Sequence, residues 1–129
     1  MTGNETPAEY DKTYLKPLSG PLQIRIGRDV SRGTVSRFVV QLEYRHEGTW
    51  VPVVRYDHDQ RPTSSQAHDV TVEGLHMDVF RDGEKIRAEY VSPPIPAGPA
   101  LDFAEDHLAE NLEVFIRRFE RWHEIETKR

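Results

Sequence analysis

The segment that decides the fold runs from Arg37 to Arg45, Arg-Phe-Val-Val-Gln-Leu-Glu-Tyr-Arg. Every second side chain in it is apolar, and these are Phe38, Val40, Leu42 and Tyr44. The side chains between them are mostly polar or charged. A period of two with one apolar side is typical of a β-strand that buries one face. The segment therefore predicts an antiparallel sheet with one face on a core and the other towards water.

Four more stretches predict strands on either side of this one, at residues 22–26, 50–57, 75–79 and 86–90. Short segments rich in turn residues separate two pairs of these strands, which predicts hairpins. Asp82-Gly83 is the strongest such signal, because a type I′ turn needs two residues that tolerate positive φ. The segment from His46 to Thr49 predicts a second hairpin. Pro52 lacks a backbone donor, so it predicts either an edge strand or a bulge.

The C-terminal part of the chain predicts one long helix from about Pro99 to Thr127. Its apolar residues recur every three or four positions, at Leu101, Ala104, Leu108, Leu112, Phe115, Phe119 and Trp122. Such a helix would be roughly 40 Å long at 1.5 Å per residue, longer than a small five-stranded sheet. Its end, with Phe119, Trp122 and Ile125, is then expected to project or to contact a second subunit.

Together these elements predict an α+β fold, an antiparallel meander sheet of about five strands packed by one long C-terminal helix. Residues 1–20 contain prolines and glycines and few apolar residues, so they predict a flexible N-terminal tail. Residues 21–129 then form a single α+β domain, a size at which one domain buries a real core.

Composition limits the classes of function. The chain of 129 residues has no cysteine, which excludes disulfides, thiolate metal sites and a cysteine nucleophile. No apolar run is long enough to cross a bilayer, and the N-terminus lacks the pattern of a secretory signal. These features favour a cytoplasmic protein without membrane contact. The net charge of −5 argues against a general nucleic-acid binder but leaves room for a local basic patch.

Polar residues of two predicted strands form the candidate site. Alternation places Arg55 and Asp57 on one side of their strand, and His76 and Asp78 on the side opposite Leu75, Met77 and Val79. If the two strands are neighbours, all four side chains share the face away from the helix. His68, on the joining loop, is then able to swing over them.

Three interpretations of this group stay open. A histidine oriented by a carboxylate acts as a general acid or base, and an arginine beside it holds a phosphate. These are the parts of a metal-independent ribonuclease. Two histidines with one or two aspartates also suit zinc, manganese or iron. Finally, polar residues on the wet face of a half-buried sheet are common without any function.

Other aromatic and histidine residues favour structural roles. His46, His107 and His123 are expected at the surface or the edge of the core. Tyr44, Trp50 and Tyr56 offer a stacking surface for bases, but they fit a core better, with Trp50 and Tyr56 on one strand face.

The runs Val54-Arg55-Tyr56-Asp57-His58-Asp59, Ala67-His68-Asp69 and Leu75-His76-Met77-Asp78 resemble the TumE-type toxins of toxin–antitoxin modules and small uncharacterised prokaryotic proteins. Those toxins are short α+β proteins with Arg-x-Asp on a strand and a downstream pair of histidines. The resemblance covers about residues 35–82. This chain departs from the pattern in the spacing of the histidines. The toxins carry closely spaced histidines, whereas His68 and His76 lie eight residues apart.

The resemblance implies a toxin acting on RNA, with a cognate antitoxin protein as partner. The leading expectation is thus a metal-independent ribonuclease without a cofactor. In it His68 and His76 form the acid–base pair, Arg55 contacts phosphate, and Asp57 or Asp78 orients a histidine. The alternative is a non-enzymatic homodimer or partner-binding module that acts through its C-terminal helix.

Overall fold

The computed structural model of the protein describes residues 10–60 and 68–125. Within them, six strands form one antiparallel sheet, and each strand is hydrogen-bonded to its neighbours in chain order. The strands are β1 (Lys12–Pro17), β2 (Leu22–Ser31), β3 (Thr34–His46), β4 (Thr49–Asp59), β5 (Leu75–Arg81) and β6 (Glu84–Ser92). The predicted α+β class and antiparallel meander are confirmed, with six strands instead of about five.

Strand β1 lies inside the segment that was predicted to be a tail. It pairs with β2 from Lys12, opposite Arg28, to Pro17, opposite Gln23. All six of its side chains are exposed. Because neither side of β1 is buried, its sequence shows no apolar alternation, and the pairing is not visible in the pattern. Residues 1–9 of the predicted tail lie outside the described residues.

Two-residue turns join β2 to β3, β3 to β4 and β5 to β6. The sequence predicts the last two of these turns. Asp82 and Gly83 have φ of 54° and 80°, the values of a type I′ turn. Glu47 with Gly48 and Arg32 with Gly33 adopt the same positive φ angles. The hairpins at 46–49 and 81–84 are therefore confirmed, and β2 and β3 form a further one.

Helices cover one face of the sheet, which we call the helix face. They are α2 (Ala97–Glu110) and α3 (Leu112–Trp122), and a short helix, α1 (Val70–Glu73), precedes β5. The buried core contains Phe38, Val40, Leu42, Val54, Tyr56, Met77 and Val79 from the sheet and Ala104, Leu108, Phe115 and Phe119 from the helices. The opposite side of the sheet, the polar face, carries the polar residues of β2, β3, β4 and β5.

The prediction of one continuous helix is wrong, because the helical segment breaks at Asn111. This residue has φ −113° and ψ 12°, outside the helical region. Its backbone N–H contacts the carbonyl oxygens of His107 and Leu108, and its side-chain amide also donates to His107. A short amide side chain competes in this way with the regular helical hydrogen bonds.

The expectation that the end of the helix projects is also wrong. Phe119 is 2% exposed and stacks on Tyr44 with 4.8 Å between ring centroids. Trp122 and Ile125 pack against the core as partly buried residues. Since α3 starts after the break at Asn111 and ends at Trp122, these side chains lie against the sheet and do not form an exposed surface.

A bulge at Val53 decides which way the aromatic residues of β4 point. Val54 lies opposite Leu42, but Pro52 lies opposite Glu43, so Val53 is the extra residue. Tyr44 and Tyr56 are buried, as predicted, whereas Trp50 is 38% exposed. The expectation that Trp50 and Tyr56 share a face is therefore wrong, because the extra residue reverses the alternation between them.

Among the helices in the described parts of the chain, none has the length and apolar character that crossing a membrane requires.

Candidate functional site

The five residues predicted as the site come together on the polar face of β4 and β5, and we call them the acid–base cluster. They are Arg55, Asp57, His68, His76 and Asp78. Arg55 lies directly opposite Asp78 in the antiparallel pairing of β4 with β5. Asp57 lies two residues after Arg55, and His76 lies two residues before Asp78. Alternation therefore puts all four side chains on the same face. The condition on which the prediction rested, that the two strands are neighbours, is met.

His68 reaches the cluster because the chain before β5 is anchored to β4. The backbone N–H of Asp59 donates to the carbonyl oxygen of His68 at 2.8 Å. Two residues later, the N–H of Val70 donates to Nδ1 of the buried His58 at 3.0 Å. Asp69 caps α1 by accepting from the N–H of Thr71. These contacts fix His68 above the polar face.

Asp78 holds the ring of His68. His68 Nε2 lies 3.3 Å from Asp78 Oδ1, and its Nδ1 lies 3.5 Å from Glu73 Oε1. The hydrogen bond to Asp78 raises the pKa of His68 to about 9, although burial of the ring opposes this. His68 is therefore an imidazolium at neutral pH. Lys85 Nζ, at 3.3 Å from the same Asp78 oxygen, makes a second ion pair.

His76 has a different environment from His68. Its ring stacks on that of His68 with centroids 5.4 Å apart and planes inclined by 20°. Its Nδ1 lies 3.3 Å from the carbonyl oxygen of Gly74. In the tautomer that donates to this carbonyl, Nε2 keeps its lone pair. The ring of Tyr90, which is 65% exposed, contacts the His76 ring edge to face, with 5.8 Å between the centroids.

Asp57 is a carboxylate that titrates near neutral pH. Burial, and then the charge of Asp78, raise its pKa to about 7, while His68 and Arg55 act in the opposite direction. Its Oδ1 atom is buried and has no hydrogen-bond partner among the residues that the structure describes. Burial disfavours the charged form of a carboxyl group, so a protonated and an ionised Asp57 are both accessible near pH 7.

A buried polar network fixes Arg55. Its Nε donates to Gln41 Oε1 at 2.6 Å, and its guanidinium lies 4.7 Å from the ring centroid of Phe80. Gln41 Nε2 in turn donates to Glu43 at 2.6 Å. Glu43 also accepts from Gln23 Nε2 at 2.6 Å and from Arg25 Nε at 2.9 Å. Arg55 is thus held in one orientation beside the two aspartates.

The charges in this region nearly cancel. Arg55, Lys85 and protonated His68 carry three positive charges, and Asp78, Glu73 and the partly protonated Asp57 oppose them. A partly buried guanidinium or ammonium group interacts more strongly with an anion than an exposed one does, since the local dielectric is lower than that of water. The arrangement combines an acid, a base and an anion-binding group.

Lys85, Glu73, Tyr90 and Tyr10 adjoin the cluster but were not predicted as part of it. A register shift between Val79 and Phe80 places Lys85 opposite Phe80, and alternation does not show this shift. Tyr10 lies in the predicted tail. The guanidinium of Arg37 lies 4.1 Å from the Tyr10 ring centroid, and the ring packs on Gly27. Burial raises the pKa of Tyr10 to about 12, and the charges of Asp57 and Arg55 act on it.

The remaining histidines lie at the edge of the core on the helix side. His107 Nδ1 is 2.7 Å from the hydroxyl of Tyr56, and His123 stacks on Phe119 at 4.0 Å. His46 meets the edge of Phe119 at 6.3 Å. These positions agree with the structural roles that the sequence suggests. As for the metal interpretation, no group of three His, Asp or Glu side chains within residues 10–60 and 68–125 is arranged to hold a metal ion.

One comparison with known proteins gives a match. No curated protein matches the sequence, and no solved structure matches it. The family model described as "Domain of unknown function (DUF7718)" matches residues 5–125 of the 129. The match includes every strand and helix and all five residues of the acid–base cluster. The chain therefore belongs to this family of domains of unknown function, DUF7718.

Proposed function

We propose that the protein is a small, toxin-like ribonuclease that cleaves RNA without a metal ion. The observation that carries the proposal is the stacked pair of His76 and His68, of which His68 is held as an imidazolium by Asp78. General acid–base catalysis of this reaction needs one neutral and one protonated group within reach of the same phosphodiester. The stacked rings of His76 and His68 would supply such a pair.

His76 is the general base in this mechanism. Its Nε2 lone pair takes the proton of a ribose 2′-hydroxyl, and the resulting O2′ attacks the adjacent phosphorus. The hydrogen bond from Nδ1 to Gly74 holds the tautomer and the ring orientation that the step needs.

His68 is the general acid. The bond between phosphorus and the 5′-oxygen breaks, and the 5′-oxygen takes a proton from His68. His68 donates the proton on Nδ1. This nitrogen faces the exposed Glu73, whereas Nε2 faces the buried Asp78. The products are a 2′,3′-cyclic phosphate and a 5′-hydroxyl, and return of one proton from His76 to His68 through water restores the enzyme.

Arg55 and Lys85 supply the positive charge. Arg55 contacts the phosphate, and its position is fixed by Gln41 and Phe80. Fixed positive groups stabilise the charge that develops on the phosphoryl oxygens in the transition state. Asp78 orients His68, and Asp57 sets the local charge near neutral pH.

The direct test is cleavage of single-stranded RNA oligonucleotides by the purified protein in the presence of EDTA. We expect products that end in a 2′,3′-cyclic phosphate, and no cleavage of an oligonucleotide with 2′-deoxyribose throughout. His76→Ala and His68→Ala should each lower the rate by about 10²- to 10⁴-fold. His46→Ala is the matched control, because it removes an imidazole outside the cluster. Full activity of His76→Ala, or no cleavage of a randomised RNA pool by the unaltered chain, would refute the proposal.

The toxin assignment also predicts a partner. An antitoxin protein encoded with the chain would bind it, and expression of the chain alone would arrest growth of the host cell. Suppression of this arrest by His76→Ala would connect the toxicity with the cluster. A homodimer stays a separate prediction, which light scattering of the purified protein measures.

A further inference from the structure

Three arginines surround one tryptophan on the helix face, and we call Arg81, Arg87, Arg118 and Trp122 the arginine–tryptophan cluster. The guanidinium carbons of Arg81, Arg118 and Arg87 lie 5.1, 5.2 and 5.9 Å from the ring centroid of Trp122. Arg81 ends β5, Arg87 is on β6, and Arg118 precedes Trp122 by one turn of α3. Three separate elements thus bring positive charge to one place.

One carboxylate offsets this charge. Glu89 Oε2 lies 2.9 Å from Arg87 Nη2 and 3.6 Å from Arg118 Nη1. In the described part of the chain it is the one carboxylate within ion-pair distance of these three arginines. The cluster therefore keeps an excess of two positive charges in a chain whose net charge is −5.

Arg118 is the most buried of the three arginines, with 15% of its side chain exposed. Its Nη2 is buried and has no hydrogen-bond partner among the described residues. Burial, with the nearby charges of Arg87 and Arg121, lowers the pKa of Arg118. A desolvated guanidinium interacts more strongly with an anion beside it than an exposed one does. Arg87, with 45% of its side chain exposed, presents donors to the solvent in front of it.

The arginine–tryptophan cluster and the acid–base cluster lie on opposite faces of the sheet, near its edge at β6. Arg87 of β6 lies opposite Val79 of the core, and the next residue, Ala88, lies opposite Asp78. Strand β6 is the last strand of the sheet in the described residues. A single-stranded polymer that crosses the edge at β6 passes from one face to the other, and the exposed Tyr90, whose ring contacts His76, lies at this edge. Exposed aromatic rings beside positive charge are typical of single-strand binding.

From this geometry we infer that the arginine–tryptophan cluster binds a backbone phosphate of the RNA, away from the phosphodiester that is cleaved. The inference rests on the proposed function for the choice of RNA. Arginine suits this task, because its planar fork of donors matches the oxygens of a phosphate. The cluster then contributes to substrate affinity and takes no part in bond breaking.

Binding is tested with an RNA that cannot be cleaved, a single-stranded oligonucleotide with 2′-O-methyl groups throughout. Trp122 itself reports the binding by its fluorescence once the second tryptophan is removed by Trp50→Phe. In this background we expect Arg118→Gln and Arg87→Gln each to raise the Kd at least fivefold. Each should also make the dependence of log K on log salt shallower by about 0.7, the value for one phosphate contact on a single strand.

Arg117→Gln is the matched control, because Arg117 directly precedes Arg118 in the same helix and 76% of its side chain is exposed. It should change Kd less than twofold. Thermal unfolding of each variant checks that the fold is intact, and Arg87→Gln, at an exposed position, keeps the test valid if Arg118→Gln unfolds.

The outcomes separate this inference from the ribonuclease proposal. Unchanged affinity in both arginine variants overturns the inference, even if the protein cleaves RNA. A fluorescence change with inorganic phosphate but none with the oligonucleotide also overturns it, since the ligand is then a small anion. Weaker binding in these variants, with affinity unchanged in His76→Ala, supports it. If the protein cleaves no RNA, that result refutes the proposed catalysis and leaves the binding measurement to stand by itself.

Discussion

His68 and Asp78 form a buried ion pair across the polar face, with Nε2 and Oδ1 3.3 Å apart and the Asp78 side chain 2% exposed. The pair connects the segment before β5 with the strand itself. Because the partner of the carboxylate is a histidine, the strength of this connection depends on pH.

We expect the free energy of unfolding to fall as the pH rises through about 9. The pKa of His68 is near 6.5 in an unfolded chain and about 9 in the folded one, so the folded state binds the proton more tightly. The resulting stabilisation is complete below pH 6.5 and is lost as the pH passes 9. It is on the order of 3 kcal/mol, since one pKa unit corresponds to about 1.4 kcal/mol and the partly exposed Glu73 adds little.

Urea unfolding at several pH values between 6 and 9.5 measures this dependence. Asp78→Asn should flatten the profile in that range, and an NMR titration should show a lowered pKa for His68. The exposed helix residue Asp106 provides the control variant Asp106→Asn. A profile that keeps its slope in Asp78→Asn would contradict the role of the pair.

Asp57→Asn should stabilise the protein above neutral pH. Its pKa is about 7 in the folded protein against 3.8 for the free group, so ionisation opposes folding between these values. Asparagine is neutral and still accepts a hydrogen bond from the backbone of His68. We expect a gain in the free energy of unfolding on the order of 1–3 kcal/mol at pH 8 that shrinks as the pH falls to 5.

Urea unfolding at both pH values is the measurement, with Asp102→Asn on the helix surface as control. No gain at pH 8 would mean that the ionised carboxylate is better solvated than its surroundings indicate.

Glu43→Ala should destabilise the fold by about 2–4 kcal/mol, because Gln23, Gln41 and Arg25 all donate to this buried carboxylate. Loss of Glu43 leaves buried donors without an acceptor. Arg55 is held through Gln41, so cleavage of RNA should fall as well. Chemical unfolding and the oligonucleotide assay measure the two effects. Glu110→Ala, at an exposed helix position, should change stability by less than about 0.5 kcal/mol.

Gly74→Ala should be far more harmful than Gly48→Ala. Both glycines have positive φ, 84° and 80°, so a side chain strains the backbone at each, and the ψ of 175° puts Gly74 in a region that glycine alone adopts readily. A Cβ at Gly74 would collide with the carbonyl oxygen of Ser92, whereas nothing lies within 4 Å of one at Gly48. We expect a difference of about 1–3 kcal/mol in thermal or chemical unfolding, the usual cost of forced overpacking. Equal losses would show that strain alone accounts for both.

Much of the candidate site was predictable from the sequence, because its residues lie on strands. Arg55, Asp57, His76 and Asp78 follow a period of two, which fixes their side of the sheet once the buried side is known. Their convergence needed one further fact, the pairing of β4 with β5. The position of His68 follows from hydrogen bonds to Asp59 and Val70 that no local pattern predicts.

The sequence by itself determined the alternation of β3, the turn at Asp82-Gly83 and the apolar stripe of the C-terminal helices, since each depends on the conformation of neighbouring residues. Only the tertiary structure decided three other features. These are the exposed strand β1, the bulge at Val53 and the register shift that brings Lys85 to Asp78. Each depends on the hydrogen bonds between neighbouring strands. The helix break at Asn111 is local, but the apolar stripe continues through it and does not show it. A register shift of one residue reverses which side chains face the core, so local periodicity does not reveal it.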